Sequence, residues 1–347
     1  MTVERIDIAP GLNVSRIWKG GWHLSGGHGD IDPAAAVEDM RAFAEAGITT
    51  FDVGDIYTGV EEMIGDFRKK YPALAKRLEI NDKAVPDYDS LPTVTARQLE
   101  ETVDLSLARL GVERVDMLQF AWWDTKRGDY IAAARIYADI VRRGKARHLG
   151  AINFLTTEIK AMLDAGIPLT SHQLQYSIID DRPERSGHVD LCLKHGIMLT
   201  CYGVVAGGFI SERYLGVPEP GEPFANRSLR KYKLIIDDFG GWDLFQELLR
   251  TLKRIGDRHK ASIANVAMRC ILDKPAVASV IIGAVNRSHL ADHVELARVR
   301  LDDADRAAIA AVTAKRRGPD GDTYELERDK TGRHGRIMKY NLNTGRS

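Results

Sequence analysis

The sequence predicts a (β/α)8 barrel, and three observations carry the prediction. β-branched apolar runs alternate with helical patterns, as in the βαβ units of a parallel sheet. Eight such runs occur, beginning near Val14, Thr49, Leu78, Val115, His148, Ser171, Ile197 and Ser279. Most are apolar throughout, the pattern of strands covered on both faces. A doubly wound open sheet is the competing arrangement, but no GxGxxG follows the first run. The 347 residues, 44% of them hydrophobic, suit one barrel of this kind, and residues 1–347 are read as a single domain.

The elements follow in order. Within "DPAAAVEDMRAFAEAG", Asp32 caps a helix that Pro33 opens and Gly47 closes. Val37, Met40, Phe43 and Ala44 recur on one of its faces. "ITTFDV" is then a strand. Thr95 and Gln98 form a capping box for "TARQLEETVDLSLARLG", and "VDMLQFAW" follows as a strand. The same alternation runs through "HLGAINF", "SHQLQYSI", "IMLTCYGV" and "KPAVASVIIGAV". Two segments break the rhythm. Residues 207–241, after the seventh strand, read as a long loop, and a polar tail from Lys315 to 347 either stays disordered or lies across one mouth of the barrel. In that loop Arg227, Arg230, Lys231 and Lys233 read first as a solvated face, and second as a clamp on phosphates.

Forty-nine basic and 49 acidic residues give a net charge of +0. That balance provides no attraction for nucleic acid or for an anionic membrane. No apolar run approaches the ~18 residues of a membrane span, and "MTVERIDIAP" has no secretory pattern. Cys192, Cys201 and Cys270 fall in no metal-ligand spacing, nor is there an HxH or HExxH, so no metal is expected. An odd cysteine count without a framework fits a reducing, cytoplasmic setting.

In a barrel of this type, polar residues at the C-terminal ends of the strands share one pocket. Asp52 ends the second strand, Lys83 the third, Asn153 the fifth and Tyr202 the seventh; Gln173 lies in the sixth. Tyr57 follows Asp52 by five residues and can turn back over the same mouth. A free phenol has a pKa of ~10. A nearby ammonium lowers it, and a carboxylate holds the ammonium in place. Tyr57 is therefore expected to act as general acid, tuned by Lys83 and oriented by Asp52. A proton delivered to a carbonyl oxygen needs a hydride at carbon, which implies a nicotinamide.

These residues carry a resemblance. "TFDVGDIYTGVEEMIG", "INDKAVP", "HLGAINF", "SHQLQYS", "LTCYGVVAGGFIS" and "VIIGAVNRSHLADH" resemble, in order, the segments of the aldo-keto reductase superfamily, from about Arg16 to His293. The resemblance implies that Asn153 and Gln173 hold the nicotinamide carboxamide and that Tyr202 stacks on its ring. It implies that backbone around Val205, Gly207 and Gly208 cradles the pyrophosphate. Gly20, Gly21 and Trp22 resemble the segment beside the substrate. NADP(H) is the cofactor the resemblance favours, with NAD(H) the alternative.

Three departures stand out. "LQFAWWD" places Ala121 where the family has a catalytic histidine, with Trp122 beside it at the substrate. His23 and Trp122 are the candidates to replace that imidazole, and an imine substrate would place different demands on the position. Ile152 stands where the family has a serine before Asn153. In the segment that meets the adenosine phosphate, Gly283, Ala284, His289 and His293 replace more basic or polar residues, with Arg287 close enough to substitute. The leading expectation is a nicotinamide-dependent reductase of a small carbonyl or imine compound. The alternative, supported by Ala121, is a regulatory or scaffolding protein that binds cofactor with little turnover. A barrel isomerase or lyase using the same tyrosine is a third reading, opposed by the ordered cofactor segments.

Overall fold

The structure, a computed structural model, describes residues 3–343. A hairpin of β1 (Arg5–Ala9) and β2 (Leu12–Ser15) comes first. Eight parallel strands then close into a barrel: β3 (Ile17–Gly20), β4 (Thr50–Asp52), β5 (Glu79–Ala84), β6 (Val115–Ala121), β7 (Ala146–Ile152), β8 (Leu169–Gln175), β9 (Met198–Tyr202) and β10 (Val277–Gly283). They pair in chain order, and β10 returns to β3. Helices surround the ring.

The first strand differs from the sequence expectation. Val14 belongs to the hairpin, and the barrel strand starts at Ile17. The hairpin packs Ile8, Leu12 and Val14 against Trp18, Met117, Ala278 and Ile281, an apolar plug in the barrel. Arg5 ties it to the start of β4 and β5 through Thr49 at 2.7 Å and Glu79 at 2.6 Å.

Local signals set the first helices as expected. Asp32 accepts from the Ala34 amide at 2.9 Å and Pro33 opens the helix Pro33–Glu45. Thr95 and Gln98 cap each other at the start of Ala96–Leu110, and Gly111 ends it at φ 65°.

The expected long loop is largely helical. Residues Arg227–Phe239 form a helix capped by the Asn226 side chain, which accepts from the Leu229 amide at 2.9 Å. Tyr232, Ile235, Ile236 and Phe239 recur at helical spacing and are buried. That apolar face fixes the helix against the barrel, and it lowers Arg227 and Lys231 onto the mouth instead of into solvent.

Residues 322–343 run across the mouth. Arg328 donates to Glu158 at 2.6 Å and to the Asn153 carbonyl at 2.9 Å. Glu327 accepts from Arg182 at 3.2 Å, and Arg182 donates to Asp180 at 2.8 Å. All three side chains are at most 1% exposed. The Tyr340 and Trp123 rings meet edge-on, centroids 5.5 Å apart, and Asn343 donates to the Val85 carbonyl at 3.0 Å.

Candidate active site

A cavity of about 660 Å³ opens at the C-terminal ends of the strands, within the usual range for a small-molecule site. Side chains alternate along β5, so Asn81 and Lys83 point inward together. Asp52 pairs with Asn81 across the β4–β5 register. Its Oδ1 therefore accepts from three directions: Asn81 Nδ2 at 2.6 Å, Lys83 Nζ at 2.5 Å and Gln173 Nε2 at 2.9 Å. Lys83 Nζ also donates to the Val53 carbonyl at 3.0 Å. This network leaves the ammonium one position.

Tyr57 turns back over it. The turn closes through the Tyr57 amide on the Gly54 carbonyl at 2.8 Å. Gly54 permits the approach, since a Cβ there would sit 2.9 Å from that of Lys83. Lys83 Nζ lies 5.0 Å from the Tyr57 ring centroid, and the Trp22 ring meets that ring edge-on at 5.2 Å. The phenol does not titrate as the sequence led us to expect. Burial, then the carboxyl groups of Asp52, Asp55 and Asp82, push its pKa well above 10. Asp52, paired with Lys83 at 2.5 Å, offsets part of the charge that was to lower it. Tyr57 is held protonated, the form a proton donor needs.

On the far side, Asn153 adopts the left-handed conformation at φ 61°, which asparagine tolerates better than most residues. Its Oδ1 accepts from the Tyr202 hydroxyl at 2.8 Å. Gln173 spends its amide nitrogen on Asp52, and its Oε1 is buried without a partner among the described residues. An orphaned acceptor in a cavity wall suits an amide N–H. After β9, Ala206, Gly207 and Gly208 have φ of 48°, 64° and 99°. A Cβ on Gly207 would strike Tyr232 at 2.7 Å, whereas one on Gly208 would meet nothing within 4 Å. Val205, Gly207 and Gly208 therefore form a tight bend against the helix Arg227–Phe239, open toward the cavity. Lys231 Nζ lies 5.1 Å from the Tyr202 ring, and Arg227 lies over Trp22 at 5.3 Å.

The profile of the Aldo/keto reductase family matches residues 16–314. The chain belongs to this family of oxidoreductases. Among its relatives, the chain is 25% identical over 308 residues to flagellar radial spoke protein 5 of Chlamydomonas reinhardtii, across 70% of its own length. It spans only 58% of that protein's length. It is 26% identical to the L-glyceraldehyde 3-phosphate reductase of Escherichia coli strain K12, over 82% of this chain and 84% of that one. It is 23% identical to the NADH-specific methylglyoxal reductase of the same strain, over 85% and 93%. A solved structure of a thermostable aldo-keto reductase with the inhibitor epalrestat superposes with a TM-score of 0.71. That chain is 22% identical, and the match covers 89% of this chain and 100% of that one.

The departures of this aldo/keto reductase take physical form. Ala121 ends β6 in an apolar patch with Val85, Ile152, Ile56 and Trp123, where the methyl group offers no hydrogen bond in place of an imidazole. Trp122 spends its Nε1 on the Arg127 carbonyl at 2.9 Å, so it does not replace an imidazole. His23 lines the cavity and packs over Gly283, where a Cβ would come within 1.7 Å of its ring. Trp123 Nε1 is buried and unpartnered among the described residues, and it lines the cavity. His293 lines the cavity, with Nδ1 buried and unpartnered among the described residues. Arg287 is not brought to the site; it is exposed and pairs with Asp39 at 3.4 Å.

Arg227 and Lys231, read from the sequence first as a solvated face and second as a phosphate clamp, line the cavity; Ile337, Met338 and Leu342 from the tail were missed. The first two carry a findable signal: they lie at i and i+4 just after an asparagine cap, on one face of a helix. The tail residues have no such local signal.

Proposed function

We propose that this protein reduces the carbonyl or imine group of a small molecule with a reduced nicotinamide cofactor. The observation that carries the reading is the convergence of Tyr57, Lys83 and Asp52 in a cavity that also presents the orphaned Gln173 Oε1. When bound, the nicotinamide supplies the hydride that goes to the substrate carbon. The side chains do the rest. Asn153 and Gln173 would hold the carboxamide, Tyr202 would support the ring, and the bend at Val205, Gly207 and Gly208 would receive the pyrophosphate. Tyr57 Oη gives its proton to the substrate oxygen or nitrogen. The phenolate left behind is stabilised by the Lys83 ammonium, which Asp52 keeps in place. Trp22, Ala121 and Trp122 would border the substrate. No helix among the described residues is long and apolar enough to cross a membrane, and all three cysteines are free. The free cysteines support a cytoplasmic setting.

The test is the loss of reduced-cofactor absorbance with a panel of aldehydes, ketones and imines. No hydride transfer to any of them would remove the reading. Ala121 and the radial spoke relative favour a second one, a scaffolding protein that binds cofactor without turnover. Tight cofactor binding with no reaction, plus a stable protein partner, would select it. Introducing the missing donor separates the two: Ala121→His is expected to raise aldehyde turnover by about 10-fold or more, part of the ~10²–10³ that one such donor supplies. Unchanged turnover of the variant across the panel counts against the reductase reading.

A further inference from the structure

We infer that the outer arm of the cavity accepts an unphosphorylated adenosine ribose, so that the protein uses NAD(H) in preference to NADP(H), with Asp292 and Glu212 as the discriminating residues. The inference rests on the reductase reading, and it departs from the cofactor the family resemblance favours.

The arm is located by topology. Asp52 pairs with Gly20 and Gly20 with Gly283, so the cavity floor runs two strands outward from the catalytic carboxylate, about 10 Å. Beyond Gly283 the same cavity is walled by Asp292 and His293, and by Ser262 at the start of the helix Ile263–Leu272. A dinucleotide whose nicotinamide lay at Asp52 would extend toward this arm.

A ribose 2′-phosphate is a dianion and needs cations, as arginine supplies in NADP sites, whereas a carboxylate suits the ribose hydroxyls of NAD. This arm offers carboxylates. Ser262 Oγ donates to Asp292 Oδ2 at 2.8 Å, and Asn265 Nδ2 donates to Oδ1 at 3.0 Å. Both partners fix the carboxyl group at the wall. The positive end of the helix is also taken, because the Ile263 amide donates to Glu212 Oε1 at 2.8 Å. A phosphate entering here meets two carboxyl groups and a helix end already neutralised. Burial, with Glu212 and Glu295 nearby, holds the Asp292 carboxyl above its ordinary range, a sign that further negative charge is opposed. Burial keeps His293 neutral, its pKa pushed down to about 4, so it offers a hydrogen bond and no charge. Its unpartnered Nδ1 fits a hydroxyl. Arg287, the cation nearest in sequence, is paired with Asp39 outside the lining. Arg213 and His289 line the cavity on this side as well; the Arg213 side chain is exposed, as Glu212 is, and lies 5.5 Å from the Tyr214 ring.

The experiment is a titration of the whole protein with NADH and with NADPH, followed by quenching of tryptophan emission. Adenosine 5′-diphosphate and adenosine 2′,5′-bisphosphate serve as competitors that do not need the nicotinamide pocket. NADH is expected to bind about 10-fold or more tightly than NADPH, and the bisphosphate to compete worse than the diphosphate. Asp292→Asn and Glu212→Gln, which keep the shape of each side chain, should each narrow the ratio by improving NADPH, and added salt should narrow it in the parent protein. A merely structural role for these residues would weaken both cofactors together. Equal affinities, or tighter NADPH binding through Arg213, overturn the inference and leave the reductase reading standing. Binding of neither cofactor overturns the reductase reading and this inference with it.

Discussion

Tyr57→Phe is expected to lower turnover by about 10²–10⁴-fold, the contribution typical of a positioned general acid, without weakening cofactor binding. The phenyl ring keeps the edge-on contact with Trp22 and the packing over Lys83. Only the hydroxyl is lost, and with it the proton that the cavity holds in place. Burial and the nearby carboxyl groups keep that hydroxyl protonated far above neutrality. Activity should therefore not fall as pH rises from 6 to 9 through loss of the Tyr57 proton. Single-turnover absorbance decay measures the first effect, and tryptophan quenching the second. A variant that retains parental turnover would show that the proton comes from elsewhere.

The second large effect is on stability. Arg182→Met should destabilise the fold by about 3–5 kcal/mol, as expected when one partner of a buried ion pair is removed. The substitution removes the ion-pair partner of Asp180 and Glu327, both fully buried, leaving Lys231 at 3.6 Å from Glu327 and the Gln175 amide on Asp180 at 2.6 Å. The sign of the pH dependence follows from Glu327. Arg182 and Lys231 outweigh burial and hold its carboxyl at about 2, below the ordinary 4.5. Its depressed pKa contributes stability above about pH 4.5 that is lost as pH falls toward 2. Removing Arg182 should flatten that part of the profile. Urea unfolding at pH 7 and pH 3 measures both effects. A variant as stable as the parent at pH 7 would mean that the tail is not anchored by this pair.

The parts legible in the sequence are those whose causes are local. Asp32 with Pro33, and Thr95 with Gln98, mark helix starts because a cap acts within four residues. Asp52 and Lys83 were legible as a pair because both end apolar strands, and a closed parallel barrel brings such ends together. The hairpin was not: "LNVSRIWKG" reads as one continuous run, and only its packing beneath Trp18 divides it. The helix Arg227–Phe239 hid behind its basic residues and the Pro- and Gly-rich stretch before it. The upward shift at Tyr57 was invisible for another reason. It depends on how completely Asp52 offsets Lys83, a matter of ångströms. Arg182 and Glu327 stand 145 residues apart, and no spacing rule connects a cation with a carboxyl group at that distance. The carboxyl groups at Asp292 and Glu212 escaped notice similarly, since each takes its meaning from a helix end it does not belong to.

The tail also sets an order of events during synthesis. The ring of strands is complete at Gly283, but the rim of its cavity needs Arg328, Tyr340 and Asn343. A ribosome adding about 5–20 residues per second needs roughly 3–12 s to make the intervening stretch. Through that interval the nascent barrel presents the faces of Trp123 and Val85 uncovered, at the mouth where the proposed reduction would later occur.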